Sequence, residues 1–148
     1  MAATNPVEAQ RKYFTLEEAN KMLPLVKAIA GDIVRQYETV RALRERLTAV
    51  EAERRRPDND VYTEELVHSQ AQMETEEGRL ANYIDELTKL GVEPKGLVDG
   101  LCDFPCLRDG RPIYLCWRLG ESTVSHWHEL DAGVAGRQPI GLSSARRI

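Results

Sequence analysis

Two long stretches of the sequence carry apolar residues at every seventh position, which is typical of helices that pack along one face. In the first stretch the two rows are Val26, Ile33, Val40 and Leu47, then Ile29, Gln36, Leu43 and Val50. In the second stretch they are Leu66, Met73, Leu80 and Leu87, then Ser69, Glu76, Tyr83 and Leu90. These heptad rows, with their resemblance to a coiled coil, predict a helical hairpin over residues 15–90.

The start of the first helix carries a capping signal and an early proline. Thr15 and Glu18 have the spacing of a capping box, in which each side chain bonds the backbone N–H of the other residue. Pro24 lacks an N–H and crowds the preceding turn, so it predicts a kink or a restart of the helix near Leu23. Residues 1–14 precede this start and are predicted to be a flexible lead.

The ends of the two helices are also marked. The basic triplet Arg54–Arg56 precedes Pro57, and cations in a last helical turn suit the helix dipole. The triplet is therefore predicted to cap the first helix, with docking onto a larger assembly as the alternative. Gly91 stands where a glycine ends the second helix.

The length of the hairpin predicts a partner. A helix over residues 24–56 would span roughly 50 Å, whereas a compact domain of this size has a radius of gyration of about 15 Å. Two helices alone cannot enclose an apolar seam. We therefore predict a homodimer in which two hairpins form a four-helix bundle.

Residues 91–131 have the composition of a small antiparallel sheet. Asp109-Gly110 is a strong hairpin signal and would pair residues 101–106 with residues 112–118. This register places Phe104 opposite Leu115 and Asp103 opposite Cys116. A third strand is predicted over residues 124–130, and residues 132–148 are set apart as a tail. The predicted fold class is α+β, a long antiparallel helical hairpin followed by a three-stranded sheet.

The position of two histidines on the third strand depends on the parity of the preceding loop. His126 and His128 are two residues apart and therefore point to the same face. An odd-length loop sets His126 beside Cys116, and Asp103, Cys116, His126 and His128 then converge. An even-length loop places both histidines with the apolar face instead.

Converging Cys, His and Asp side chains resemble the donors of a zinc or iron site. The metal hypothesis therefore names Asp103, Cys116, His126 and His128. The alternative is that the cysteines are small half-buried hydrophobes and the histidines are hydrogen-bonded residues of the sheet. A thiolate pair of Cys116 with His126 is a further alternative.

Charge and compartment limit the partners. The chain of 148 residues has a formal net charge of −4, which argues against a nucleic-acid domain held by phosphate contacts. No apolar run reaches the roughly 20 residues of a membrane span. The N-terminus has no apolar core typical of a signal peptide, and three cysteines fit reduced thiols, so we expect a cytoplasmic protein.

Several motifs resemble one known family. The strings YFTLEEANKMLPLV and DGRPIYLCWRLGE, followed by WHELDAGVAGRQPI, are similar to a bacterial family catalogued as the domain of unknown function numbered twenty-two-zero-three. The resemblance runs from Tyr13 to Ile140 and implies a small cytoplasmic bacterial protein without implying a mechanism. It also implies that position 126 varies in the family. The prominent polar positions of the family are matched here by Asp103, Cys116, Arg118, Glu121, His128, Glu129 and Arg137.

The sequence supports two classes of function. The first is a non-enzymatic interaction or binding module that dimerises through its hairpin and binds an unidentified protein or a small anionic ligand. Arg118, Glu121, Glu129 and Arg137 are the candidate ligand-binding residues, with Arg118, His128 and Arg137 receiving an anion. The second is a metal-binding protein or metalloenzyme that uses the Cys/His site.

Overall fold

The computed structural model describes residues 12–54, 60–141, 145 and 147–148. Helix α1 (Leu16–Arg54) and helix α2 (Asp60–Lys89) are followed by five strands. The strands are β1 (Glu93–Pro94), β2 (Leu101–Arg108), β3 (Arg111–Arg118), β4 (His126–His128) and β5 (Gln138–Pro139). Most of the predicted lead, and Arg55 and Arg56 of the basic triplet, lie outside the described residues.

The capping box of the first helix and the terminal glycine of the second are confirmed. The amide of Glu18 donates to Oγ1 of Thr15 at 3.1 Å, and the amide of Thr15 donates to Oε1 of Glu18 at 3.2 Å. Gly91 has a φ of 89° and ends α2 in a Schellman motif, because its amide bonds the carbonyl of Thr88 and the next amide bonds the carbonyl of Leu87. Of the predicted kink or restart near Leu23, the restart is wrong, since α1 runs through Pro24 without a break.

The heptad rows form the contact between the two helices. The first rows of both helices are mostly buried: Val26, Ile33, Val40, Leu66, Met73, Leu80 and Leu87. The polar member Gln36 is satisfied across the contact, because its side-chain amide donates to the carbonyl and the carboxylate of Glu76. Antiparallel packing of α1 and α2 is therefore confirmed.

The register of the β2–β3 hairpin agrees with the prediction from Asp109-Gly110. Phe104 pairs with Leu115, and Asp103 pairs with Cys116. Both turn residues have a positive φ, 51° and 78°, as a two-residue hairpin turn with glycine requires. Strand β4 continues the antiparallel order beyond β3, with Tyr114 opposite His128 and Cys116 opposite His126.

The sheet has five strands, not the three that the sequence predicted. The two additional strands, β1 and β5, have two residues each and are too short for an alternating pattern to reveal them. Strand β5 lies in the segment that was set apart as a tail. The third predicted strand is also shorter than residues 124–130, since β4 contains three residues. The α+β class is confirmed, with five strands in place of three.

The sheet has an apolar face and a polar face. Phe104, Leu115 and Trp117 are fully buried and belong to the same core cluster as the helical residues Val26, Ile33 and Leu87. Their sequence neighbours point to the opposite face of the sheet, where the chain after β4 passes over them. In the part of the chain that the structure describes, neither helix is long and apolar enough to cross a membrane.

Candidate functional site

Three adjacent strands place an acid, a thiol and an imidazole together on the polar face. Asp103 lies on β2, Cys116 on β3 and His128 on β4, and each side chain is buried. One carboxylate oxygen, the sulfur and one ring nitrogen of this group all lie within 4.8 Å of one another. The group follows from the parity of the strands, because residues of matching parity on neighbouring antiparallel strands point to the same face.

The ring of His128 is held in one orientation by both of its nitrogens. Nδ1 lies 2.7 Å from the carbonyl oxygen of Glu129, which only accepts, so Nδ1 carries a proton and donates it. Nε2 lies 3.0 Å from Oδ2 of Asp103. In the neutral imidazole the Nε2 lone pair is therefore directed at the acid–thiol group.

The carboxyl group of Asp103 is buried with only part of its hydrogen-bonding capacity used. Its side chain is 3% exposed, and Oδ1 has no hydrogen-bond partner among the described residues. Burial raises the pKa of Asp103 above its ordinary value, while the contacts with His128 and Cys116 act in the opposite direction. A buried carboxylate oxygen without a partner is rare and is typical of a site that holds an ion, an ordered water or a functional group.

The thiol of Cys116 lies between this carboxyl group and a guanidinium group. Nε of Arg137 donates to the sulfur at 3.4 Å, and Nη2 of the same residue donates to the backbone carbonyl of Cys116 at 3.3 Å. Burial raises the pKa of Cys116 to about 11, although the hydrogen bond from Arg137 favours the thiolate. The residue has no exposed surface, and its raised pKa favours the protonated thiol at neutral pH when no metal ion is bound.

An ion pair fixes Arg137 over the sheet. Its guanidinium group bonds Oε1 of Glu121, and the same oxygen accepts the backbone amide of Arg118 at 2.7 Å. Burial opposes ionisation of Glu121, but these two hydrogen bonds outweigh it and lower its pKa. The chain that follows β4 is therefore tied to the loop that precedes it.

His126 does not join the group, although its backbone register is the one that the odd-length loop predicts. Its Nδ1 lies 3.1 Å from Oγ of Ser125 and 3.5 Å from Oε2 of Glu121. The predicted four-residue cluster therefore contains three converging side chains. A thiolate pair with Cys116 has no support from this geometry, because the His126 ring is directed at the Glu121 carboxylate.

The predicted anion-binding cations are already paired with acids of the chain. Arg118 lies 3.5 Å from a carboxylate oxygen of Asp99, and Arg137 is bonded to Glu121. The carboxylate of Glu129 is also paired, at 2.9 Å from the guanidinium of Arg111. The four predicted ligand-binding residues thus belong to three separate ion pairs and not to one open site.

A cavity of about 220 Å³ opens beside Asp103 and His128. Its lining includes Lys95, Leu130 and Val134, which the sequence did not single out. Lys95 directly follows the two-residue strand β1, and the other two lie in the chain that crosses the polar face. No local pattern marks these positions, because their approach to Asp103 and His128 depends on the path of two irregular segments.

Comparisons with known proteins agree with the resemblance seen in the sequence motifs. The family model described as uncharacterised conserved protein (DUF2203) matches residues 12–140 of the chain. No curated protein matches the chain, and no solved structure matches it.

Proposed function

The chain belongs to the family of uncharacterised conserved proteins DUF2203, and from the geometry of its polar sheet face we propose that it is a binding module for one divalent transition-metal ion. The ligands are the carboxylate of Asp103, the thiolate of Cys116 and Nε2 of His128. The observation that carries this proposal is the buried group of three donor atoms within 4.8 Å, in which one oxygen of Asp103 lacks a partner among the described residues.

The distances suit a metal of the zinc class. Zinc bonds to oxygen, nitrogen and sulfur are about 2.0–2.3 Å long, so neighbouring ligand atoms around a tetrahedral ion stand about 3.3–3.8 Å apart. The three donors need only small side-chain movements to reach this geometry. A mixed set of sulfur, nitrogen and oxygen favours zinc or iron over magnesium or calcium, which prefer oxygen ligands alone.

The surroundings supply the outer contacts that metal ligands normally have. The Nδ1–H of His128 is held by the carbonyl of Glu129, and this contact fixes the tautomer in which Nε2 is a ligand. Arg137 donates to the sulfur of Cys116 and would stabilise the thiolate. Both features orient a donor atom before a metal arrives.

The same geometry supports binding over catalysis by the side chains alone. A cysteine nucleophile needs a base in hydrogen-bond reach whose other nitrogen is oriented by a third group. The nitrogens of His128 are bonded to Asp103 and to the Glu129 carbonyl, and Cys116 has no exposed surface. We place the module in the cytoplasm, because three unpaired cysteines fit a reducing compartment.

Cobalt titration tests the metal site. We expect chelator-treated protein to take up one Co²⁺ per chain with a thiolate-to-cobalt charge-transfer absorption. Loss of an outer contact typically costs about 10–100-fold in metal affinity, so the substitutions Cys116→Ala and Asp103→Asn should cost at least that much. Metal binding releases the ligand protons, so affinity should also increase with pH.

Two variants are matched controls for this titration. Cys106→Ala removes an equally buried thiol that belongs to the core cluster on the apolar face, and His126→Ala removes the histidine that lies outside the group. Both should bind cobalt like the parent protein. Absence of stoichiometric uptake, or uptake that Cys116→Ala leaves unchanged in a folded variant, would contradict the proposal and leave a structural Asp–His pair.

We also propose that the protein forms a homodimer through its helical hairpin. Helix α1 has 39 residues and is about 58 Å long, whereas an eight-residue strand is about 26 Å long. Val50 and Leu66 are buried but stand outside the core cluster that joins helices and sheet, and nearby Val67 is 61% exposed. The hairpin of a second chain, packed against Val67, would cover the end of the hairpin that contains Val50 and Leu66.

Sedimentation at micromolar concentration tests the dimer. We expect a homodimer that the substitution Val67→Glu dissociates, because the new carboxylate would have to be buried between the hairpins. The matched control is Val98→Glu, at a position that is 73% exposed in the loop before β2, and it should sediment like the parent. A monomer across the micromolar range would overturn this proposal.

A further inference from the structure

The cavity beside Asp103 and His128 is lined by polar, basic and apolar side chains. Its lining includes the buried side chains of Asp103, His128 and Tyr114, the partly exposed side chain of Lys95, and the exposed side chains of Leu130 and Val134. The volume of about 220 Å³ corresponds to about seven water molecules. It lies below the roughly 300–1,000 Å³ of sites for drug-sized ligands, so a small metabolite fits and a nucleotide does not.

The cavity reaches only one side of the metal-binding group. Asp103 and His128 line it, whereas Cys116 does not and is covered by Arg137. Three protein ligands leave one coordination position of a tetrahedral ion for an exchangeable ligand. We propose that this fourth position faces the cavity and takes the carboxylate of a small organic acid with a short apolar chain. This inference rests on the metal site proposed above.

We infer the apolar part of the ligand from Leu130 and Val134, the exposed aliphatic residues of the cavity lining. Leu130 and Val134 are each 47% exposed, and both line the cavity. A hydrocarbon chain of a few carbons would lie against both side chains and remove them from water. Burial of each methylene contributes roughly a fourfold gain in affinity.

We infer the carboxylate of the ligand from Lys95, the cation of the cavity lining. Nζ of Lys95 lies 3.1 Å from a carboxylate oxygen of Glu93 and 5.3 Å from the centre of the Tyr114 ring. The ammonium group therefore lies in the lining of the cavity, and because it has three N–H donors it can bond a ligand while it stays paired with Glu93. One oxygen of a ligand carboxylate would bind the metal ion, and the other would accept a hydrogen bond from Lys95.

Butanoate is the probe for this inference, used on the full-length protein loaded with Co²⁺. We expect butanoate to change the ligand-field absorption of the bound cobalt with saturation, and to bind about 16-fold more tightly than acetate because it buries two further methylenes. Butan-1-ol, which has the same chain without the charge, should leave the spectrum unchanged. Calorimetry on the same sample measures the affinity independently.

Two lysine variants locate the ligand. Lys95→Met should weaken butanoate binding about tenfold and leave the affinity for cobalt unchanged. The matched control is Lys89→Met, because Lys89 is also paired with a single carboxylate, Asp85, at the end of α2. It should bind butanoate like the parent protein.

The outcomes separate this inference from the metal proposal. If cobalt binds with the charge-transfer absorption that depends on Cys116, but butanoate leaves its spectrum unchanged or binds equally well to Lys95→Met, the carboxylate site is wrong and the metal site stands. If cobalt does not bind, both proposals fail together.

Discussion

Replacement of His128 by leucine should lower the free energy of unfolding by about 3–5 kcal/mol at neutral pH, measured by urea denaturation of metal-free protein in chelator. Asp103 has a side chain that is 3% exposed, and its contact at 3.0 Å is with the ring that the substitution removes. The carboxyl group would then be buried without the imidazole that contacts it.

The loss should depend on pH, because the folded state can avoid a buried charge only by protonating Asp103. Burial already raises the pKa of this carboxyl group above its ordinary value, and the contact with His128 lowers it. Without His128 the folded-state pKa is higher still. A group with a raised folded pKa contributes stability below its unfolded pKa and loses that contribution as pH rises through the folded pKa. The difference between variant and parent should therefore shrink as pH falls from 7 towards 4.

A double variant distinguishes the charge from the loss of packing. Asp103→Leu combined with His128→Leu replaces both polar partners by apolar groups, and such replacements are often close to neutral. We expect the double variant to be more stable at pH 7 than His128→Leu alone. His68→Leu, on the exposed side of α2, should change stability by no more than about 0.5 kcal/mol. An equal loss at every pH would contradict the assigned cause.

The helical hairpin was predictable because its signals are local. The capping box needs two residues three apart, the seam needs a seven-residue repeat, and Gly91 needs one backbone conformation, so each can be read within one or two turns of helix. The predicted restart at Pro24 was wrong because the local effect of proline is outweighed by packing between the helices. Helix α1 has 39 residues and packs along α2, and these contacts compensate for the one backbone hydrogen bond that Pro24 cannot donate.

The polar site was predictable in its backbone and not in all of its side chains. Asp109-Gly110 sets the β2–β3 register, and parity then places Asp103 beside Cys116. The odd or even length of the next loop stayed open in the sequence, because no turn dipeptide defines it. His126 lies on the predicted face, but its ring is directed at the carboxylate of Glu121. Glu121 lies in the loop before β4, and the strand pattern does not reveal this contact.

The two shortest strands and the cover over the polar face lie beyond sequence patterns. Strands of two residues show no alternation, and they exist because β2 and β4 present unpaired backbone groups to passing chain. The contact of Arg137 with Cys116 joins residues 21 positions apart. It depends on the path of an irregular segment, for which local propensity carries no information.

Replacement of Trp117 by alanine should lower the free energy of unfolding by about 3–5 kcal/mol, because this indole is fully buried in the core that helices and sheet share. Trp117 has no exposed surface, packs in the core cluster and donates from Nε1 to the carbonyl of Glu121 at 3.0 Å. Truncation leaves a large cavity and an unpaired carbonyl. Urea denaturation at one pH measures the loss.

An intermediate substitution assigns this loss to packing. Trp117→Phe keeps an aromatic ring in the core and removes part of the indole together with its N–H donor, so it should cost about 1–3 kcal/mol, less than alanine. Val98→Ala, at a position that is 73% exposed, should change stability by no more than about 0.5 kcal/mol. The series also tests the strand parity on which the site depends. A shift of β3 by one residue would turn Trp117 to the polar face and Cys116 into the core, and Trp117→Ala would then cost little.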